Sequence, residues 1–241
     1  MVKVAASLWL AVMLAASSAH ADEAVDLELV LLADASQSID DREIAFQRQG
    51  YAAAITHPQV LNAIASGFSG RIAVTYVEWG TTGSQEVVVP WTIIDGPGSA
   101  DTFAVELVAA PRMAFGRNAI GAAIEAAQSL IETNAIDGHR KVIDLSADSA
   151  NSFSGPPIET ARAQALAAGI TINGLAILCR ICSGRPAFYD LEAAFASRII
   201  GGPGSFVVTA DGNTSFAEAV RRKLVLEIAG DLPSSTVESK G

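Results

Sequence analysis

The chain has 241 residues, 50% of them hydrophobic and 17% charged, with a formal net charge of −10. A field of that sign repels phosphate backbones, which argues against nucleic acid as a partner. Two cysteines cannot staple a chain of this length into a disulfide scaffold, and the hydrophobic content suffices for one large α/β domain with its own core.

Residues 1–21, MVKVAASLWLAVMLAASSAHA, carry Lys3, an apolar run and Ala19-His20-Ala21, the three regions of a secretory signal peptide. The run falls short of the about 20 apolar residues that a membrane span needs. The mature chain is therefore expected to start at Asp22, to be exported, and to hold no transmembrane segment. VDLELVLLAD (25–34) is a mostly apolar run that fits a buried parallel strand. DREIAFQRQGYAAAI (41–55) has helical spacing; His57-Pro58 breaks it, and QVLNAIASG supplies a further turn or two. GRIAVTYVEWG (70–80) and QEVVVPWTII (85–94) read as strands of an antiparallel hairpin across TTGS, with Pro90 marking the second as an edge strand.

SADTFAVELVAA (99–110) and NAIGAAIEAAQSLIE (118–132) read as helices, and RKVIDLSAD (140–148) as a strand that again ends in aspartate. PPIETARAQALAAG (156–169) is a helix with Pro in its first turn and Gly169 at its stop. ITINGLAIL (170–178) and GSFVVTA (204–210) are strands, and AFYDLEAAFASRII (187–200) and SFAEAVRRKLVLEIAG (215–230) are helices. This alternation implies a Rossmann-like, doubly wound, mainly parallel sheet of about six strands, with one antiparallel edge strand and helices on both faces. One domain over 22–230 is expected, followed by a flexible polar tail at 231–241.

Cys179 and Cys182 form a C-x-x-C pair. In an exported chain a short-loop disulfide is the leading reading, with free thiols and a redox pair as alternatives. Asp144, inside a strand, calls for a buried partner such as Arg140, with metal contact as the alternative. Glu78-Trp79 closes a strand and either lines a binding face or is an ordinary strand end. His57 and His139 read as solvent-loop residues, and no Ser-His-Asp set or G-x-S-x-G elbow surrounds them, so no enzymatic activity is expected.

The first strand runs into DASQS, which places Asp34, Ser36 and Ser38 at alternate positions. Helix capping accounts for Ser38, since Ser38 with Asp41 resembles a capping box, but it leaves Asp34 and Ser36 unexplained. Three hard oxygen donors in one loop instead suit a cation such as Mg2+. Two later segments, GRNAIGAAI (116–124) and DLSADS (144–149), can add donors above the same sheet.

With these motifs in this order, the sequence resembles a von Willebrand factor A (vWA) domain with a metal-ion-dependent adhesion site (MIDAS). Its phrases VIDLSAD, INGLAIL, IIGGPGSFV and FAEAVRRKL resemble a bacterial exported vWA-like branch of unknown function, over Val25 to Ala229. The resemblance implies Asp34, Ser36, Ser38, Asn118 and Asp148 as metal residues around a divalent cation, Mg2+ first and Mn2+ or Ca2+ next. It further implies a protein partner that supplies an acidic residue to the metal, and a place in the bacterial periplasm or outside the cell. The expected role is thus a cation-dependent protein-binding module, an adhesion factor or adaptor. Asn118 departs from the family's threonine, and an amide is a longer, neutral ligand. That departure keeps a metal-free scaffold or envelope-complex subunit as the alternative; a metal-dependent hydrolase stands behind both.

Overall fold

The computed structural model describes residues 23–178, 190–210 and 216–230. The expected signal peptide, Cys179, Cys182 and the expected tail lie outside the described residues. Six strands, β1 (Glu23–Asp34), β2 (Ile72–Trp79), β3 (Gln85–Ile94), β4 (Ile136–Ala147), β5 (Thr171–Ile177) and β6 (Val207–Ala210), form one sheet in the order β3-β2-β1-β4-β5-β6. Every neighbouring pair is parallel except β2–β3. On one face lie α1 (Asp41–Ile55), α2 (Pro58–Ala65), α3 (Pro97–Ala109) and α7 (Phe216–Ala229). On the other lie α4 (Ile120–Glu132), α5 (Ile158–Ala167) and α6 (Leu191–Arg198).

The alternation of side chains along β1 builds both cores at once. Leu27, Leu29 and Leu31 pack with Tyr51, Phe103 and Leu224, whereas Val30 and Leu32 pack with Ile124, Leu145 and Phe195. A strand buried on both faces reads as a continuous apolar run, as 27–33 does apart from Glu28. Glu28 is accommodated because Gly138 N donates to its Oε1 at 2.9 Å and Asn134 Nδ2 to its Oε2 at 2.7 Å. Pro90 lies in the edge strand β3, where the register with β2 slips around Thr75, so its missing N–H leaves no ladder bond unmade. β4 begins four residues before the expected start, because β1 extends back to Glu23 and pairs it with Ile136. His139 consequently stands on a strand, exposed, rather than in a loop.

The partner of Asp144 is Lys223 of α7, not Arg140. Lys223 is fully buried, its Nζ 2.6 Å from Asp144 Oδ1 and also bonded to Glu227 one turn further along α7. Asn173 Nδ2 donates to Glu227 Oε1 at 3.0 Å. Arg140 instead donates to the carbonyls of Glu227 and Ile228, 2.6 Å each, at the end of α7. Burial, and after it the charge of Asp144, pushes Glu227 up to about 7. Burial likewise raises Asp144, and the Lys223 ammonium pulls both carboxyls back down.

Candidate metal centre

From β1 the chain moves outward through β2 to β3, then returns to lay β4 on the other side of β1. Strand order reverses between β1 and β4, and in open α/β sheets ligands bind in that crevice, at the carboxyl ends of the strands. Asp34 is the last residue of β1, and Asp148 directly follows the last residue of β4. Ala33 pairs with Ser146, so the two aspartates leave the sheet from adjacent strands about 4.8 Å apart.

The DASQS loop is closed by its own side chains. Asp34 Oδ1 accepts from Ser36 N at 2.8 Å, an Asx turn that lifts the chain off the sheet. The Ser36 and Ser38 hydroxyls then share a hydrogen bond, their oxygens 3.2 Å apart. Ser38 does not cap α1. The cap is Asp40, whose Oδ1 accepts from Arg42 N at 2.8 Å and Glu43 N at 2.9 Å, while Glu43 Oε2 accepts from Asp40 N at 2.8 Å. Ser38 is thereby released from the one structural role that sequence reasoning offered it.

Asn118 comes from the segment between α3 and α4, which is tied down on three sides. Gly116 O accepts from Gln37 N at 2.7 Å, Asn118 O accepts from Phe153 N at 2.7 Å, and Ala119 N donates to Gly80 O at 3.0 Å. The same bonds hold residues 118 and 119 out of helical geometry, so α4 starts two residues after the expected boundary. Gly116 has φ +97°, and a Cβ there would stand 2.7 Å from Thr81 Cβ, so only glycine fits. The loops after β1, before α4 and after β4 therefore meet through backbone hydrogen bonds.

Two arginines brace this junction, and sequence reasoning passed over both. Arg112 Nη2 donates to Ala35 O at 2.7 Å and to Ser36 O at 3.4 Å, while its Nη1 donates to Asp41 Oδ1 at 2.8 Å. Arg48 is buried and forks onto Glu78, with Nε to Oε1 at 2.7 Å and Nη2 to Oε2 at 2.9 Å. Its guanidinium also donates to the carbonyls of Ala110 and Pro111. Glu78 thus neither lines an open face nor merely ends a strand; it anchors the arginine that holds the Asn118 segment. The available signal was Arg48 itself, which shares a helical face with Ile44, Tyr51 and Ile55.

The residues gathered here suit a hard cation by their chemistry. Cis oxygen ligands of Mg2+, with bonds near 2.1 Å, lie about 3 Å apart, close to the spacing of the two serine hydroxyls. Asp34 and Ser36 are fully buried, Asn118 and Asp148 almost so, and Ser38 is partly buried. Asn118 Nδ2 is buried without a hydrogen-bond partner among the described residues; turning the amide by about 180° would present Oδ1 in its place. Among the described residues no group of three or more His, Cys, Asp and Glu could hold a metal. The candidate donors are two carboxylates, two hydroxyls and an amide. His57 Nδ1 caps α2 by accepting from Gln59 N at 3.2 Å, and His139 lies toward the opposite end of the sheet.

Solved structures with this fold include proximal thread matrix protein 1 from the mussel byssus with a zinc-occupied MIDAS motif. It has a TM-score of 0.59 at 18% identity, over 86% of this chain and 48% of the mussel chain. The pilus adhesin SpaC from Lactobacillus rhamnosus GG, in its open conformation, has a TM-score of 0.58 at 14% identity, over 85% of this chain and 30% of the adhesin. The SpRpn10 VWA domain has a TM-score of 0.55 at 13% identity, over 84% of this chain and 97% of that domain. The chain thus spans about half of the mussel protein and under a third of the adhesin. No curated protein matches the sequence. Among the described residues no helix is long and apolar enough to cross a membrane. Residues 24–232 match the family described as protein of unknown function (DUF1194), and the chain, built on a vWA fold, belongs to that family.

Proposed function

We propose that the chain is an exported protein-binding module whose contact with its partner depends on a divalent cation held by Asp34, Ser36, Ser38, Asn118 and Asp148. The observation that carries this reading is the convergence of the two serine hydroxyls, 3.2 Å apart, in a loop whose helix cap is supplied by Asp40 instead. The vWA fold, with the candidate residues at the switch point of its sheet, supports the same reading. The cation would leave part of its shell to a carboxylate of the partner. The chain's own residues fix the site: Asp34 closes the loop, Arg112 holds the carbonyls of Ala35 and Ser36, and the Arg48–Glu78 fork holds the segment before Asn118. A binding role is favoured over catalysis because neither described histidine lies at the carboxyl ends of the strands.

Thermal unfolding with EDTA, Mg2+, Mn2+ or Ca2+, beside Asp34→Ala, tests the reading. A cation at about 100 times its Kd stabilises the fold by roughly 2.7 kcal/mol, or roughly 5–10 °C for a domain of this size. The expected result is a shift with at least one cation that disappears in Asp34→Ala. Equal midpoints under all conditions would overturn the metal site in favour of a metal-free scaffold.

A further inference from the structure

The loops that carry Asn118 and follow Asp148 also expose large apolar side chains. Met113 is 58% exposed, Phe115 55% and Phe153 54%, all within a few residues of the candidate metal centre. Exposed rings on free loops would cost entropy to order in a complex; these stand on fixed backbone. Phe115 N donates to Ser84 Oγ at 2.9 Å, and its carbonyl accepts from Thr81 N at 2.9 Å. Phe153 N donates to Asn118 O at 2.7 Å. Each ring also carries an arginine: the Arg112 guanidinium lies 5.0 Å from the Phe115 centroid and that of Arg117 4.1 Å from the Phe153 centroid.

Arg117 is exposed and makes no ion pair among the described residues, in a chain whose net charge is −10. Stacking on Phe153 keeps this cation at the rim of the crevice. Beside Phe115 runs a cleft of about 450 Å³, lined by Ile44, Val108 and Ala110 and, at its polar edge, by Asp41, Arg48 and Arg112. Val108 is itself 49% exposed. Because Arg112 lines this cleft and also holds the Ala35 and Ser36 carbonyls, the cleft adjoins the DASQS loop. Aromatic rings, methionine and arginine on a pre-ordered surface are the composition of interface hot spots.

We infer that this rim is the docking surface for an acidic segment of a partner protein in which an apolar side chain sits next to the carboxylates. One carboxylate reaches the metal centre, a second pairs with Arg117, and the apolar neighbour enters the cleft beside Phe115. The inference rests on the cation-dependent reading for the first of these contacts, whereas Phe115, Phe153 and Arg117 act without the cation. Acid alone would satisfy the arginine but leave the rings wet; apolar surface alone would leave Arg117 uncompensated.

The test is selection from a displayed library of random 12-residue peptides on the purified protein in Mg2+. It is repeated in EDTA and on Asp34→Ala, Phe115→Ser, Phe153→Ser and Arg117→Glu, the three rim variants checked for an unchanged unfolding midpoint in EDTA and Asp34→Ala for a single cooperative transition. The expected enrichment is for Asp or Glu beside Leu, Phe, Tyr or Trp, with binding of the selected peptides weakened about tenfold or more by each rim substitution. Peptides that bind the three rim variants as well as the parent would overturn the docking surface, even if EDTA abolishes binding and so upholds the metal. Peptides that survive EDTA and Asp34→Ala but are lost in the rim variants would uphold the surface and overturn the cation dependence. Enrichment without an acidic–apolar pattern, or no enrichment alongside Phe115- and Phe153-dependent binding to phosphatidylglycerol vesicles, would overturn the inference.

Discussion

Glu227 makes the protein's stability depend on pH in a direction opposite to ordinary acid denaturation. Its carboxyl is buried with Asp144 and Lys223 and is raised from 4.5 to about 7. A carboxyl whose folded value lies above its unfolded one holds its proton more tightly in the native state. The resulting stabilisation is fully present below about 4.5 and is lost as pH rises through about 7. Each unit is worth about 1.4 kcal/mol, so the ceiling is about 3 kcal/mol. Because Asp144 shares the titration, roughly 1–3 kcal/mol is expected, or about 3–10 °C in midpoint between pH 5 and pH 8.5. The assay is thermal unfolding across that range for the parent, Glu227→Gln and Asp144→Asn. The parent should lose stability as pH rises, and each amide variant should flatten the curve, since every other titrating group is common to the three proteins. Parallel curves for parent and variants would refute the reasoning.

Removing Lys223 is a harsher perturbation: Lys223→Met leaves two buried carboxyls without their cation and should cost about 3–5 kcal/mol by urea unfolding at pH 8, and less at pH 5. Arg48→Met strands Glu78 in the same way, with a similar loss; it also frees the carbonyls of Ala110 and Pro111, so hydrogen exchange over 110–119 should quicken. Asp40→Ala should cost about 1 kcal/mol of stability and leave any cation-induced shift intact, whereas Ser38→Ala should change stability little and reduce that shift. Gly116→Ala, forced to φ +97° and against Thr81, should destabilise by about 1–3 kcal/mol in chemical unfolding.

What could be read in advance follows the range of the physics. Strand β1 announced itself because a strand buried on both faces reads as a nearly continuous apolar run, so its abrupt end at Asp34 was visible, as was the end of β4 near Asp148. Pro90 placed β3 at the sheet edge through a missing donor, which is a local property. The helix cap was misassigned because Ser38 with Asp41 and Asp40 with Glu43 both satisfy a three-residue spacing, and the backbone chooses between them. The pairings of Asp144 with Lys223 and of Glu78 with Arg48 join distant segments that only the sheet order brings together. No spacing rule reaches that far. Arg112 was equally silent, since its role lies in carbonyls it holds across the fold rather than in any motif around it.

The most direct measurement for the proposed cation site is a Mn2+ titration followed by electron paramagnetic resonance, on the parent protein and on Ser36→Ala, Asn118→Ala and Asp148→Asn. The expected result is one site per chain, displaced by Mg2+ and weakened or lost in all three variants. Absence of a bound-Mn2+ signal, or a site that survives all three substitutions, would contradict the assignment.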